Sequence, residues 1–336
     1  MERIIECVPN FSEGQNMEVI GSIAKAIGEG GVKILNIDPG YATNRTVITF
    51  TGSPEAVLEG IFQGVRRASE LIDMRKHHGT HPRSGATDVL PLIPISGISL
   101  EECAVLARGL AERIYRELDI PCYCYEAAAF KPERKNLAIC RSGEYEALAE
   151  KISDPDRRPD FGPDHYTEQV AKSGAINVGA RNFLIAVNFN LNTKSTELAN
   201  LIAYDVREKG HPQKNIGSKR IPGKLKGCKA IGWFIDEYDI AQVSMNITDI
   251  DTTPLHIAYE EVCKAAEERG VKVTGAEIIG LVPKRVLIEA GQYFLNDQQE
   301  SSNLSEDEIM ETAVKFMGLD DLKPFLLKKK VIEFLI

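Results

Sequence analysis

The sequence predicts an α/β (α+β) fold of two tandem ferredoxin-like β-α-β-β-α-β subdomains. At 336 residues, the chain exceeds the size at which a single hydrophobic core keeps growing. Both halves show the same order of strand and helix patterns. In each half the helix after a strand hairpin opens on a small polar residue and a proline, at Ser53-Pro54 and Thr253-Pro254. These observations predict one subdomain over residues 1–178 and a second over residues 179–336.

The elements of the first half follow from periodicity. Alternating and β-branched runs predict strands, and apolar residues at helical spacing predict helices. The predicted elements are a strand over 3–8, a helix over 16–29, strands over 32–38 and 45–52, a helix from Ser53 to about Met74, a strand over 88–95, a helix over 99–118 and a strand starting at Pro121. This is the β-α-β-β-α-β order with one appended helix and strand.

The second half repeats this order. The predicted elements are a strand over 181–191, a helix over 193–210, a hairpin over 229–248 that turns at Glu237-Tyr238-Asp239, a helix from Thr253 to Gly270, a strand over 271–283 and further helices from about 285. The segment 153–165 is rich in proline and aspartate, so its composition predicts a linker between the two subdomains.

Composition excludes several classes of protein. A net charge of −9 argues against general nucleic-acid binding, and no stretch approaches the ~20 apolar residues that cross a bilayer. The N-terminal MERIIECVPNF is unlike a signal peptide. The seven cysteines form an odd, scattered set without a C-x-x-C pair, so neither a disulfide framework nor a zinc ribbon fits. We therefore expect a soluble cytoplasmic protein.

The motifs of several enzyme classes are missing. The sequence contains no G-x-G-x-x-G after a strand, no G-x-x-x-x-G-K-[ST] and no G-x-S-x-G. The dinucleotide-binding, P-loop and hydrolase interpretations therefore lack their motifs.

Three of the six histidines cluster in the segment MRKHHGTHPRSGATDVLPLIP. The spacing of His77 and His81 would suit a metal on a helix, but Gly79 and Pro82 break any helix there, so we predict no metal site. Arginine, lysine and aspartate side chains surround His81 in what reads as a loop before a strand. Such a loop can bind a carboxylate and present an imidazole, although a lone loop histidine is more often structural or merely exposed.

Two other segments carry candidate residues. Asp38 ends a strand, and Asn44 and Arg45 follow in the next turn. Asp38 is either an Asx-type turn residue or a carboxylate that orients an imidazole, and the sequence leaves both open. The segment 209–229 holds seven lysines or arginines and no acid. It is either a solvated mobile loop or an arm that binds a polycarboxylate ligand.

Several long stretches resemble the glutamate formiminotransferase family, whose animal members are fused to a cyclodeaminase. The stretches are ECVPNFSEG, IDPGYATNRTV, LIDMRKHHGTHPRSGATDVLPLIP, FGPDH, GARNFLIAVNFNL and IGWFIDEYDIAQVSMNI. The length leaves no room for the cyclodeaminase, so we expect a stand-alone transferase. The resemblance implies two α/β subdomains with folate in a cleft between them, and a homodimer.

The resemblance also implies site residues. It identifies His81 as the catalytic histidine through the pattern HPR-x-GA-x-DV-x-P-x-IP, and Asp38 as its partner through ID-x-G-x-x-TNRTV. Substrate or folate contacts are expected at Asn44, Arg45, Arg83, Gly162, Pro163, Gly174, Lys224, Lys226 and Gly232. The segment from Pro163 to Gly174 is longer than the animal pattern.

The implied reaction moves a formimino group between N-formiminoglutamate and tetrahydrofolate, as in histidine degradation. His81 would be the general acid and base, polyglutamylated tetrahydrofolate the co-substrate, and no metal would take part. The expected partners are small molecules and a second copy of the chain, not nucleic acid or membrane. The alternatives are transfer of a formyl group from N-formylglutamate, and a non-catalytic folate-binding protein.

Overall fold

A computed structural model describes residues 2–212, 220–296 and 304–335. The chain forms two compact units, Met1–Asn182 and Phe183–Ile336. The predicted boundary, between residues 178 and 179, falls inside the strand Ile176–Ala180, which pairs within the first unit.

The first unit contains seven strands and six α-helices among its described residues. In chain order they are β1 Ile4–Cys7, β2 Asn10–Phe11, α1 Met17–Gly28, β3 Lys33–Gly40, β4 Arg45–Gly52, α2 Pro54–Leu71, β5 Thr87–Ser96, α3 Leu100–Leu118, β6 Cys122–Glu126, α4 Leu137–Cys140, α5 Leu148–Ser153, α6 Glu168–Ser173 and β7 Ile176–Ala180. The predicted strand over 3–8 corresponds to β1, and the short strand β2, which was not predicted, follows after Pro9, a residue with no N–H to donate to the sheet.

The strand order across the first sheet is β3, β4, β1 with β2, β5, β7, β6. The pairings from β3 to β5 are antiparallel, which is the ferredoxin-like arrangement that the sequence predicts. β7 and β6 extend the sheet in parallel with β5. Alternate residues of the strands, such as Phe50, Leu90 and Cys124, are buried in a common hydrophobic core.

The segment 153–165 is not a linker between the units. The Phe161 carbonyl accepts a hydrogen bond of 2.7 Å from the amide of Cys122, and the Asp160 carboxylate accepts one of 2.7 Å from the amide of Cys124. Asp160 also forms a buried ion pair with Arg134. The segment therefore binds the edge strand β6 of the first sheet, a long-range contact that composition does not reveal.

The second unit has the ferredoxin-like order in its simplest form. Its elements are β8 Ile185–Leu191, α7 Thr196–Val206, β9 Cys228–Ile235, β10 Ile240–Ile247, α8 Leu255–Glu267, β11 Val273–Ile279, α9 Lys284–Asn296, α10 Glu306–Met317 and α11 Leu327–Lys330. The sheet order is β11, β8, β10, β9, with every pairing antiparallel. Residues of α9 and α10, such as Leu287 and Met310, complete the core.

No helix within the described ranges has the length and apolar character needed to span a bilayer.

Candidate active site

The turn after β3 and the histidine loop between α2 and β5 are held together by Asn44. Its backbone is left-handed, with φ of 47°, a conformation that asparagine tolerates better than most residues. Its side chain accepts from the amide of Gly14 at 2.9 Å and donates to the carbonyl of His78 at 2.8 Å. Its carbonyl accepts from Nε2 of His77 at 2.8 Å. Asn44 therefore joins three segments.

Gly79 lets the histidine loop lie directly on this turn. A Cβ atom at this position would clash with the carbonyl oxygen of Thr43, which is a backbone atom and cannot move aside cheaply. The amide of Thr80 also donates to the carbonyl of Ala42 at 3.4 Å. Gly79, which in the sequence argued against a helix, is thus required for the loop to pack against the turn.

Asp88, at the start of β5, is the buried anchor of the site. Its side chain is 0% exposed. One carboxylate oxygen accepts from the amide of Ser84 at 2.8 Å, and the other accepts from Arg45 and, at 2.9 Å, from Arg141. Burial alone would raise the pKa of the Asp88 carboxyl, but Arg141 and Arg45 outweigh burial and lower it. Asp88 is therefore ionised and binds two guanidinium groups.

The side chain of His81 is half-buried beside this ion cluster. Its Nδ1 lies 2.7 Å from the carbonyl oxygen of Pro82. Because a carbonyl oxygen only accepts hydrogen bonds, Nδ1 carries the proton and donates it. In the neutral ring Nε2 then carries the lone pair. This assignment of the tautomer comes from a backbone contact with the next residue in the chain.

The electrostatic surroundings favour the neutral imidazole. Burial lowers the pKa of His81 well below its usual value, and the positive charges of Arg45 and Arg141 lower it further. The Pro82 carbonyl and Asp88 act in the opposite direction with a smaller effect. At neutral pH the His81 ring is thus neutral, and its pKa lies well below that of an ordinary imidazole.

Asp38 lies on β3 directly opposite Val47 of β4, and Val47 lies opposite Asn10 of β2. Residues opposite one another on neighbouring strands share a face of the sheet. Asp38 and Asn10 are therefore on one face, and the Asn10 side chain accepts from Nε of Arg45 at 3.1 Å. The structure thus brings Asp38 and Arg45 to the same part of the first sheet.

Arg83 is engaged within the protein. Its guanidinium forms two hydrogen bonds with Glu146, of 2.6 and 2.8 Å, and contacts Glu144 at 3.4 Å. The carbonyl of Arg83 also accepts from the amide of Tyr145 at 2.9 Å. Arg83 therefore links the histidine loop to the segment that follows α4. A substrate carboxylate would have to compete with Glu144 and Glu146 for the Arg83 guanidinium.

Of the predicted folate contacts in the first unit, Gly174 lies beside the histidine loop. It ends α6 with φ of +69°, and a Cβ there would clash with the carbonyl of Ser84. The neighbouring Ser173 carbonyl accepts from the amide of Ala86 at 2.8 Å. Gly162 and Pro163 follow the segment bound to β6, and a Cβ at Gly162 would clash with Pro159.

The remaining predicted contacts lie in the second unit. Gly232 of β9 packs on α7, where its amide and carbonyl bind the side chain of Asn200 at 3.0 and 3.1 Å. Lys224 lies 3.7 Å from both Glu261 and Glu268, and the side chain of Lys226 is exposed. Two other lysines of the predicted basic arm, Lys214 and Lys219, fall outside the described residues.

Arg141 is the residue that sequence reasoning missed. It ends the short helix α4 and lies 53 residues beyond Asp88, so no local pattern connects the two.

Glu6 on β1 was also missed. It is 3% exposed, and burial raises the pKa of its carboxyl to about 7 although Arg181 opposes the change. A charged residue inside a predicted central strand is the signal that would have identified it.

Across residues 2–212, 220–296 and 304–335, no group of three or more histidine, cysteine, aspartate or glutamate side chains is arranged to hold a metal ion. The seven cysteines all carry free thiols.

Comparisons of the sequence with known protein families and curated proteins identify one family. The family described as "Formiminotransferase domain, N-terminal subdomain" matches residues 4–181, and "Formiminotransferase domain" matches residues 186–336. A glutamate formimidoyltransferase of Streptococcus pyogenes is 43% identical, over 88% of this chain and 94% of its own length. One of Thermoplasma acidophilum is 40% identical, over 87% and 92%.

Longer relatives match as well. The formimidoyltransferase-cyclodeaminase of Gallus gallus is 45% identical over the whole of this chain, which spans 60% of the length of that relative. The two family matches together span nearly all of this sequence, in the same two parts as the structural units. The chain therefore belongs to the formiminotransferase domain family.

Proposed function

We propose that this chain is a transferase that moves a formimino group between N-formiminoglutamate and tetrahydrofolate, giving 5-formiminotetrahydrofolate and glutamate. The observation that carries the proposal is His81, a neutral imidazole whose Nδ1 proton is held by the Pro82 carbonyl. The two relatives named glutamate formimidoyltransferase, which this chain matches over almost their full length, support the substrate pair.

The reaction needs one group that takes and returns a proton. N5 of tetrahydrofolate attacks the amidine carbon of N-formiminoglutamate and forms a tetrahedral carbon bonded to three nitrogens. Nε2 of His81 takes the proton from N5 and passes it to the glutamate nitrogen, which leaves as an amine. General acid and base catalysis of this kind contributes about a hundred- to ten-thousand-fold. The reaction must start with neutral His81, because only the neutral ring can take the proton from N5.

We assign Asp38 as the carboxylate partner of His81 in the protonated intermediate. Its position on the sheet face that also holds Asn10 and Arg45 supports this role. Substrate and folate contacts are proposed at the other predicted residues of the first unit, Asn44, Arg45, Arg83, Gly162, Pro163 and Gly174. Arg45 would act while bound to Asp88, because its guanidinium is already paired.

In the second unit we propose that Lys224, Lys226 and Gly232 contact folate, and that the basic segment 209–229 binds a polyglutamate tail by charge complementarity. The cleft between the units stays a prediction. If the charge argument is right, folates with more glutamates bind more tightly, and added salt removes the difference. Equal affinity for mono- and polyglutamyl folates at low salt would exclude this part of the proposal.

We further propose a cytoplasmic homodimer that acts in histidine degradation and one-carbon metabolism on small molecules alone. The free thiols of all seven cysteines support a reducing compartment. Sedimentation of the purified protein tests the dimer.

The test of the transferase is a spectrophotometric assay of 5-formiminotetrahydrofolate formed from N-formiminoglutamate. The variant His81→Ala should lose at least a hundred-fold in kcat, with folding checked by circular dichroism. His78→Ala is the matched control, because His78 is an exposed histidine of the same loop whose structural contact is made by its backbone. Full turnover in His81→Ala would refute the catalytic role.

The donor is tested in the same assay. N-formylglutamate in place of N-formiminoglutamate should give no product, and preferential use of the formyl donor would replace the proposal by a formyltransferase. Tight binding of tetrahydrofolate without turnover of either donor would instead indicate a non-catalytic folate-binding protein.

A further inference from the structure

The carbonyl of Pro82 is shared by two donors. His81 donates to it from Nδ1 at 2.7 Å, and Arg141 donates to it from Nη2. A carbonyl oxygen has two lone pairs and accommodates both. The same Nη2 of Arg141 also donates to Asp88 at 2.9 Å. One guanidinium nitrogen thus connects the acceptor of the His81 proton to the buried anchor of the site.

The segment that carries Arg141 is held in place by contacts independent of this nitrogen. The Tyr145 amide binds the Arg83 carbonyl at 2.9 Å, and Glu146 binds the Arg83 guanidinium. Arg141 itself is 16% exposed. Its position beside the histidine loop is therefore set by packing of the segment.

The charges of the ion cluster formed by Arg45, Arg141 and Asp88 do not cancel. Arg45 from β4, Arg141 from the end of α4 and Asp88 from β5 act on the ring, with Asp38 of β3 as its proposed carboxylate partner. Two cations and one buried anion leave the three-residue cluster with an excess positive charge. A second proton on the imidazole would add a like charge next to this cluster, and a carboxylate at Asp38 would oppose that effect.

We propose that Arg141 is a positioning residue for His81: bound to the Pro82 carbonyl and to Asp88, it holds the acceptor of the Nδ1 proton in place and sets a positive charge beside the ring. The inference rests on the proposed role of His81 as the acid and base. Arg141 touches no reacting atom in this scheme. Its effect on the reaction is the pH range over which His81 is an available base.

The experiment is a pH titration of the histidine rings by NMR, with histidine labelled in the ring and the His81 signal identified from the His81→Ala spectrum. In the wild type, His81 should be the Nδ1–H tautomer. In Arg141→Gln its titration midpoint should rise by about one pH unit, because one nearby positive charge is removed. The acidic limb of kcat/KM should move up by the same amount.

Two variants serve as controls. Arg141→Lys keeps the charge and should leave the midpoint within a few tenths of a unit of the wild type. Arg75→Gln removes a charge from the same loop, but Arg75 is exposed and binds Asp73 and Glu168, so the midpoint should not move.

An Nε2–H tautomer in the wild type, or an unchanged midpoint in folded Arg141→Gln, would overturn the inference. The tautomer is measured on the unaltered protein, so an Nε2–H ring would overturn the inference even if Arg141→Gln does not fold. Failure of the proposed function looks different: His81→Ala would then retain turnover while the His81 midpoint still responds to Arg141→Gln.

Discussion

Replacing Asp88 by asparagine tests the buried anchor of the site. The substitution keeps the size of the side chain and an oxygen for the Ser84 amide, but removes the charge that two arginines share. The side chains of Arg45 and Arg141 are 8% and 16% exposed, so water cannot replace the lost carboxylate. Breaking a buried ion pair by removing one partner costs about 3–5 kcal/mol. We expect Asp88→Asn to lose that amount in free energy of unfolding.

The assay is urea unfolding followed by circular dichroism, at pH 7 and at lower pH. The matched control is Glu70→Gln, which removes the anion of an exposed pair with Arg67 on α2 and should cost about 0–1 kcal/mol.

The pH dependence of this difference has a defined sign. Because the pKa of Asp88 is lowered in the folded state, its contribution to stability is complete above its unfolded pKa of about 3.9. The contribution is lost as the pH falls through the folded pKa, where wild type and Asp88→Asn become alike. A loss no larger than that of Glu70→Gln, or a difference that persists in strong acid, would refute this account of the site.

Three further predictions concern positions outside the ion cluster. The carboxyl of Glu6 has a raised pKa of about 7, so ionising this group reduces the stability of the fold as the pH rises from about 4.3 to 7. Glu6→Gln should therefore be more stable than the wild type at pH 8, by a few kcal/mol at most. A gain that is already present at pH 4 would contradict this prediction. Gly79→Ala should lower both stability, by about 1–3 kcal/mol, and kcat, because its methyl group meets the Thr43 carbonyl; unfolding and the transferase assay measure the two losses. Gly232→Ala should destabilise the protein by a similar amount, because the new methyl group would clash with the α7 backbone. Gly109→Ala on α3 is the control: its methyl group meets nothing within 4 Å, and alanine is the better helix former, so this variant should gain about 0.5–1 kcal/mol. Equal changes of the two variants in thermal unfolding would contradict the prediction.

Local patterns predicted most of the fold. The helix after the first hairpin begins at Pro54 as predicted, with the Ser53 side chain accepting from the amide of Ala56, and the helix after the second hairpin begins at Leu255, directly after Pro254. Both sheets contain the predicted ferredoxin-like core. What local patterns did not reveal is the parallel pairing of β7 between β5 and β6, or the binding of segment 153–165 to β6. Both depend on contacts between residues distant in the sequence.

Local patterns in the amino-acid sequence predict the tandem fold, because periodicity, glycine and proline act on their immediate neighbours. They also identify the histidine loop, because its charged residues lie close together in the chain. The family resemblance supplied the substrates and the roles proposed for His81 and Asp38. Only the tertiary structure brought Arg141 to Asp88 and to the carbonyl that binds His81. The tautomer and charge of an imidazole depend on the hydrogen bonds and charges within a few ångströms in space. The neighbours of His81 come from β4, β5 and the end of α4, which are distant in the sequence and come together only when the chain folds.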